Sequence, residues 1–510
     1  MTVYHDSVVI SNNYCVLTNL RPQSRLLVQE TCRLDAPRDV TAAGKPRNKP
    51  DTERIMKKSG GGPVPEGSAR KDRPRRIALV TLGCKVNQCE SAGLAEALRR
   101  MGHTLVGFDS EADVCIVNTC TVTARTDFQS RQLIRRAARR NPAAPVIVTG
   151  CYAQVAPEQL KTLPNVRLVA GNAEKELIAG VAASLNGGPA EVMVRDIAEA
   201  RHFTGPSPGR FPGRTRAFLK IQDGCNARCS YCIVPSARGP SRSMQPGDVL
   251  ENISALVGAG YREIVLTGVH LGAWGADLVP PRGLPSLLRQ IEESCRIGRL
   301  RLSSIEPLEV TEELIEGLRG SRLLCPHLHI PLQSGDDRVL SAMGRHYDRR
   351  FFRDLVNRLV AAIPGLAIGV DVMAGFPGEE DREFENTAGL LRELPVAYLH
   401  VFPYSERPGT RAASMPGKIG AGLRAERAAA LRALGLGKRE EFARRAVGTR
   451  QTVLVEGSRD RKTGRLKGFT GNYIPVLLAG ESRDLMNRLV DVVIESAEAG
   501  TVNARIRHEQ

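Results

Sequence analysis

Three apolar runs near the front of the chain end alike. "IALVTLGC", "DVCIVNTC" and "APVIVTGC" each read as a buried strand that stops on a cysteine, at Cys84, Cys120 and Cys151. Helix-like segments separate them: "SAGLAEALRRMG", with Gly102 as a stop, and "FQSRQLIRRAARRN". Alternating strand and helix implies a parallel sheet with helices on its faces. The C-terminal strand ends of such a sheet share one edge, where ligands bind. Cysteines 36 and 31 residues apart (84 to 120, 120 to 151) can thereby converge on one point. Three unrelated core cysteines are the other reading the spacing permits. "VRLVAGNAEKELIAGVAASL" adds a further strand and helix. The unit is expected over 76–185, followed by a Gly/Pro-rich linker over 186–213.

Six more apolar runs follow at intervals suited to βα units: "AFLKI", "EIVLTGV", "LRLSSI", "HLHIPLQ", "AIGVDVMAGF" and "YLHVFPYS". They predict a partial (β/α) barrel of the TIM type over 214–445, with its site at the C-terminal strand ends. The fold class is therefore α/β. A charged helix, "AERAAALRALGLGKREEFARRAV", then leads into a β-rich stretch. "QTVLVEG", "RLKGFTGNYIPVLL" and "RLVDVVIES" predict a small closed β-barrel over 446–510. Residues 1–75 lack periodicity and end in "SGGGPVPEGSARKDRPRR", which reads as a flexible linker. A disordered extension, an RNA-contacting arm and a start placed too early all fit them. Cys15 and Cys32 lie there without an assigned role.

The sharpest chemical signal is "DGCNARCSYCIVPSARG", where Cys225, Cys229 and Cys232 sit on one loop leaving the first barrel strand. Three thiolates can hold three irons of a 4Fe-4S cluster and leave the fourth open. A structural zinc would call for a fourth protein ligand, and the next candidates are His270 and Cys295. Cys115, inside "DVCIV", is expected in the sheet core. Cys89, one helical turn past Cys84, is expected to be a bystander. Cys295 and Cys325 read as ordinary buried cysteines. Twelve cysteines in 510 residues are too sparse for a disulfide scaffold, and a reduced, cytoplasmic compartment fits them. No apolar run reaches 18 residues, so no membrane span is expected.

A net charge of +17 points to an acidic partner, nucleic acid above all. With only 4% aromatics, phosphate contacts suit this chain better than base stacking. Arg450, Arg461, Lys462, Arg465 and Lys467 crowd the start of the C-terminal barrel and are the candidate RNA contacts. The helix bearing Arg131, Arg135, Arg136, Arg139 and Arg140 is a candidate extension of that track.

The cysteine loop, with Tyr231 before its last cysteine, resembles the signature of the radical S-adenosylmethionine (SAM) superfamily. Taken with "TLGCKVNQ", "VNTCTVT", "TGCYAQ", "LTGVHLG", "HIPLQSG" and "DVMAGFPGE", the chain from about Arg76 onward resembles the methylthiotransferase family. That resemblance implies two 4Fe-4S clusters, one on Cys225, Cys229 and Cys232 and an auxiliary one on Cys84, Cys120 and Cys151. It implies that one SAM methylates a sulfur on the auxiliary cluster. A second SAM yields the radical that activates a C–H carbon. It also implies a C-terminal RNA-binding TRAM barrel and an N-terminal domain that caps the barrel mouth. Tyr231, Gly268, Ser304, Glu306, Gln333, Asp371 and Gly375 are the candidate SAM contacts, with Gly268 and Gly375 expected to lie open to the ligand. Of the family's branches, "TLGCKVNQ" with "GCNARCSYCIVP" looks most like the one acting on N6-threonylcarbamoyladenosine in tRNA. The alternatives are isopentenyladenosine in tRNA and an aspartate of a ribosomal protein. An iron–sulfur RNA-binding sensor without catalysis is the alternative of another class. A sulfur donor and an electron donor of flavodoxin or ferredoxin type are implied without being identified. Cys89 stands where the family often carries an aromatic.

Overall fold

The computed structural model describes residues 74–205, 209–211, 213–479 and 483–507. The extension read over 1–75, with Cys15 and Cys32, lies outside the described residues except for its last two. Strands β1 (Arg76–Thr81), β2 (Thr104–Val106), β3 (Val114–Thr119), β4 (Val146–Gly150), β5 (Val166–Ala170) and β6 (Glu191–Met193) form one parallel sheet in the order 2-1-3-4-5-6. Helices α1 (Lys85–Arg100), α2 (Ala124–Arg140), α3 (Cys151–Val155), α4 (Pro157–Lys161) and α5 (Ile178–Ser184) connect its strands. β3 and β4 are buried along their whole length, as strands covered on both faces must be. Cys115 lies in that core at 0% exposure.

Three details depart from the sequence reading. α1 starts at Lys85, six residues before the expected Ser91, because its first turns bury Asn87 and Glu90 as well as Val86. A helix face that is both polar and buried leaves no apolar stripe to read. The stretch expected as linker contributes β6, the edge strand, which pairs with β5. β2 is only three residues long and gives no alternation to detect.

All six expected barrel strands form: β7 (Arg216–Lys220), β10 (Glu263–Thr267), β11 (Arg299–Leu302), β12 (His327–His329), β13 (Ala367–Ala374) and β14 (Tyr398–Pro403). A short hairpin, β8 (Gln222–Asp223) with β9 (Arg242–Ser243), lies between the first two. One parallel ladder runs β7-β10-β11 and another β12-β13-β14. Single bridges at Leu300–Leu324 and Ser304–His329 join them into an open half-barrel. Leu300 and Leu302, Leu328 and Ile330, and Ile368, Val370 and Val372 share the core under the outer helices. The alternate positions, among them Glu263, Arg301, His327, His329, Asp371 and His400, therefore face the lumen.

The C-terminal barrel closes in the order β15 (Arg450–Val455), β16 (Leu466–Thr470), β17 (Pro475–Ala479), β19 (Thr501–Ile506), β18 (Leu489–Glu498). It packs against the N-terminal end of the half-barrel. Arg299 and Arg301 donate to the carbonyls of Phe469 (2.9 Å) and Gly471 (2.9 Å), and Glu263 holds both guanidinium groups at 2.5 and 2.8 Å. Tyr473 lies over Arg301 and beside His327, with ring centroids 5.2 Å apart.

Candidate active site

Cys84, Cys120 and Cys151 follow β1, β3 and β4, three adjacent strands. Neighbouring strands lie about 4.8 Å apart, so residues just past their ends are close. Sheet order also reverses between β1 and β3, which opens the crevice where such folds bind ligands. Two glycines make the crowding possible. Gly83 (φ +102°) has no room for a side chain, since a Cβ would lie 2.8 Å from the Cys120 Cβ. Gly150 (φ +100°) is tighter still against the Thr119 carbonyl, at 2.3 Å. Asn87 fastens the first two loops by donating to the carbonyls of Leu82 (2.8 Å) and Thr119 (3.0 Å). The three thiols sense one another electrostatically. Burial pushes Cys120 up to about 12, with Cys151 and Cys84 adding to it. Burial raises Cys84 too, against the neighbouring Arg238 charge. Arg238 Nε donates to Cys151 Sγ at 3.2 Å. All three are free thiols.

Cys89 lies outside this set. It points from α1 into the apolar core behind the half-barrel, and burial drives its thiol far up. Cys325 is buried as expected, while Cys295 is half-buried at the end of its helix.

Cys225, Cys229 and Cys232 occupy the loop between β8 and helix α6 (Val234–Arg238). The loop is pinned from both sides. Ser230 donates its N–H to the Met343 carbonyl (2.8 Å), and its own carbonyl accepts from the Ala412 N–H (2.8 Å). Cys232 is pushed up to about 12 by burial, with Cys229 and Cys225 adding to it. Two cationic side chains reach the sulfurs. His270 Nδ1 lies 3.4 Å from Cys225 Sγ, and Arg345 Nη1 lies 3.5 Å from Cys229 Sγ. Burial works against the His270 charge, yet the contacts with Cys225 and Glu309 raise it to about 10. Sequence reasoning weighed His270 only as a zinc ligand and missed Arg345. The first follows β10 in "TGVHLG", a strand-end signal, whereas Arg345 carries no local signature. Among the described residues, His329, Asp371 and His400 form a trio tight enough for a single ion; neither cysteine trio is drawn in that far.

Between the trios lies a buried ionic network. Glu90 of α1 pairs with Arg238 of α6, with Lys175, and with Lys220 at 3.1 Å. Asp223 of β8 pairs with Lys220 at 3.0 Å and Arg238 at 3.4 Å. Burial alone would raise the Glu90 carboxyl; Arg238, Lys175 and Lys220 instead hold it well below the usual carboxylate range. Arg238 thus ties the helix after the Cys225 loop to the Cys151 sulfur. Replacing Glu90 with Ala takes away the ion pair of Lys175 and leaves Asp223 alone to serve both Lys220 and Arg238. A loss of about 3–5 kcal/mol is expected, the usual cost of breaking a buried pair from one side. Chemical denaturation of the variant against wild type measures it. Because the native carboxyl titrates below its ordinary value of 4.5, this contribution is full above that pH and is lost as acid approaches the lower native value.

Residues 76–171 match the uncharacterized protein family UPF0004, and residues 219–391 match the radical SAM superfamily. The threonylcarbamoyladenosine tRNA methylthiotransferase MtaB of Bacillus subtilis is 39% identical over 82% of this chain and 94% of its own length. Its Aquifex aeolicus counterpart is 36% identical over 82% of this chain and all of its own. The chain belongs to the radical SAM methylthiotransferase family. Another relative, the tRNA-2-methylthio-N(6)-dimethylallyladenosine synthase of Pelotomaculum thermopropionicum, is 32% identical over 83% of this chain and 96% of its own.

In this methylthiotransferase the candidate SAM residues fall into two groups. Glu306 pairs with Arg345, beside Cys229, and Tyr231 packs with Phe376 and Tyr404. Ser304, Gln333 and Asp371 line the lumen. Ser304 Oγ lies 2.7 Å from His329 Nδ1, and Asp371 Oδ1 lies 3.2 Å from His329 and 3.4 Å from His400. Gln333 takes φ +66° and donates its N–H to the Asp371 carbonyl (2.8 Å). Gly268 and Gly375 are not open. A Cβ on Gly268 would meet Gln222 at 2.7 Å, and one on Gly375 would meet the Arg424 side chain at 2.1 Å. Both glycines make room for a neighbouring side chain of the protein itself.

The basic candidates divide as well. Arg450, Arg461 and Lys462 are exposed. Arg465 instead braces the barrel, donating to Asn503 Oδ1 (2.7 Å) and to the carbonyls of Leu478 and Leu477 (3.2 and 3.3 Å). Lys467 lies 3.7 Å from Glu456. On α2, Arg131 is taken by the Tyr152 hydroxyl (2.6 Å) and Arg136 by Asp109 (2.5 Å). One cation was overlooked. Lys85, next to Cys84, is half-buried, and burial with Arg301 and Arg216 nearby pushes its ammonium down to about 7.

Proposed function

We propose that this enzyme attaches a methylthio group to carbon 2 of N6-threonylcarbamoyladenosine beside the anticodon of tRNA. One observation carries the reading: full-length relatives at 39% and 36% identity bear that name, and the dimethylallyladenosine enzyme stands lower, at 32%. Cys225, Cys229 and Cys232 would hold the cluster that binds SAM, and Cys84, Cys120 and Cys151 the auxiliary one. The donor chemistry fits both. Each trio is three free thiols with a cation against at least one of its sulfurs, and each leaves a four-iron cluster one iron short of protein ligands. When bound, the clusters and SAM supply one-electron chemistry together with the sulfur and methyl groups of the product.

The chain's own side chains prepare the two sites for that chemistry. Arg238 beside one trio, and Arg345 and His270 beside the other, place positive charge against the sulfurs that would carry the irons. The Ser230 contacts hold the second loop rigid. The Glu90 network fixes the distance from one trio to the other. Asp371, flanked by His329 and His400, offers an anionic acceptor in the lumen between them. Arg450, Arg461 and Lys462 suit RNA phosphates on the C-terminal barrel, which has the form of a TRAM domain. A sulfur donor and a flavodoxin- or ferredoxin-type reductant complete the system, and its substrate places it in the cytoplasm. Among the described residues no helix is long and apolar enough to cross a membrane.

The test is mass spectrometry of tRNA nucleosides from a deletion strain. The 2-methylthio derivative of threonylcarbamoyladenosine is expected to vanish while the unthiolated nucleoside accumulates. Loss of the methylthio-isopentenyl nucleoside instead would assign the chain to the other tRNA branch.

A further inference from the structure

Lys85 opens α1 directly after Cys84, and α1 lies across β7. Its charge acts on Arg216 of β7, Glu263 of β10, Arg301 of β11, His327 of β12 and His400 of β14. A side chain near residues of five strands at once must project into the half-barrel. It therefore reaches from the edge of one cysteine trio into the lumen.

The other lumen charges are matched. Arg299 and Arg301 share Glu263, at 2.5 and 2.8 Å. Arg216 pairs with Glu456 at 3.3 Å, and Lys220 with Glu90 and Asp223. Asp371 sits between two histidines. For Lys85 no hydrogen bond or ion pair is found among the described residues. A second polar group in the same wall also lacks a partner among them. His327 is 2% exposed and its Nε2 meets the Tyr398 hydroxyl at 2.8 Å, but its Nδ1 has no hydrogen bond. Unmatched polar groups inside a lumen are what a polar ligand completes.

We infer that Lys85 receives the carboxylate of the threonylcarbamoyl group and thereby selects which hypermodified adenosine the enzyme accepts. The inference rests on the proposed substrate. That substituent ends in an amino-acid carboxylate, an anion at neutral pH. The dimethylallyl group of the related substrate is apolar and would leave the ammonium without a partner. One charge thus rewards the first substrate and penalises the second. The position also suits the chemistry, since the residue beside Lys85 is a ligand of the auxiliary trio, so an anchored base lies next to the sulfur to be transferred.

The test uses the reconstituted holoenzyme and two anticodon stem-loop RNAs, one bearing the free threonylcarbamoyl carboxylate and one its methyl ester. Wild type is expected to bind the acid about 10- to 100-fold more tightly than the ester, the range for a hydrogen bond to a charged group. Lys85→Met should erase that preference by weakening the acid alone, and Lys85→Arg should restore most of it. Equal binding of acid and ester by wild type overturns the inference, whatever the variants do. So does a Lys85→Met variant that keeps the preference but needs more SAM, because the carboxylate served is then that of SAM. Wild type that binds the acid RNA yet never methylthiolates it would instead sink the proposed function.

Discussion

Replacing Cys225, Cys229 and Cys232 together with Ala is expected to abolish SAM cleavage and to remove about half of the iron, roughly four of eight atoms per chain. The three thiols share one short loop. Of the other described cysteines, Cys325 is buried at 4% exposure and Cys295 caps the C-terminal end of a helix. His270 and Arg345 would then face an empty loop rather than sulfur. Iron analysis of anaerobically purified protein and chromatography of deoxyadenosine read the two effects separately. A wild-type protein holding one zinc and no iron would contradict the whole assignment.

The complementary triple variant, Cys84, Cys120 and Cys151 to Ala, should behave in the opposite way. It is expected to lose the other half of the iron, still release deoxyadenosine from SAM, and form no methylthio nucleoside. The two trios belong to different parts of the fold, the edge of a parallel sheet and a loop of the half-barrel. They meet through Arg238 and share no ligand. Methylthio product from this variant would place the sulfur elsewhere. Cys89→Ala should keep all its iron, because that thiol lies in apolar core away from the other three.

The strand-ending cysteines were legible because a parallel sheet puts every C-terminal strand end on one edge, whatever the intervening lengths. That the three strands are adjacent was not legible, since the order 2-1-3-4-5-6 is decided by tertiary pairing. The second trio was legible from its own spacing, for a loop needs no partner to bring Cys225 and Cys232 together. The residues around the sulfurs were not. Glu90 and Arg238 lie 148 positions apart, and each alone reads as a surface charge. Lys85 stood inside the quoted "TLGCKVNQ", yet only the half-barrel around it gives it meaning. Arg465 misled for the converse reason. A basic run looks uniform in sequence, and nothing local separates the guanidinium that braces three strands from the neighbours left in water.

The Glu90 network has a consequence for the RNA. Two of its ion pairs, from Glu90 to Arg238 and to Lys220, cross between the sheet domain and the half-barrel, so prising the two apart would break both. A jaw-like opening is therefore costly, and the gap between the trios is expected to act as a slot of fixed width. The nucleic acid must supply the movement. An adenosine stacked in the anticodon loop has to leave its neighbours and swing into the slot, at a cost of a few kcal/mol. A single-stranded loop meets that cost far more readily than a duplex, so the fixed slot itself sorts hairpin loops from helical RNA before any base is read.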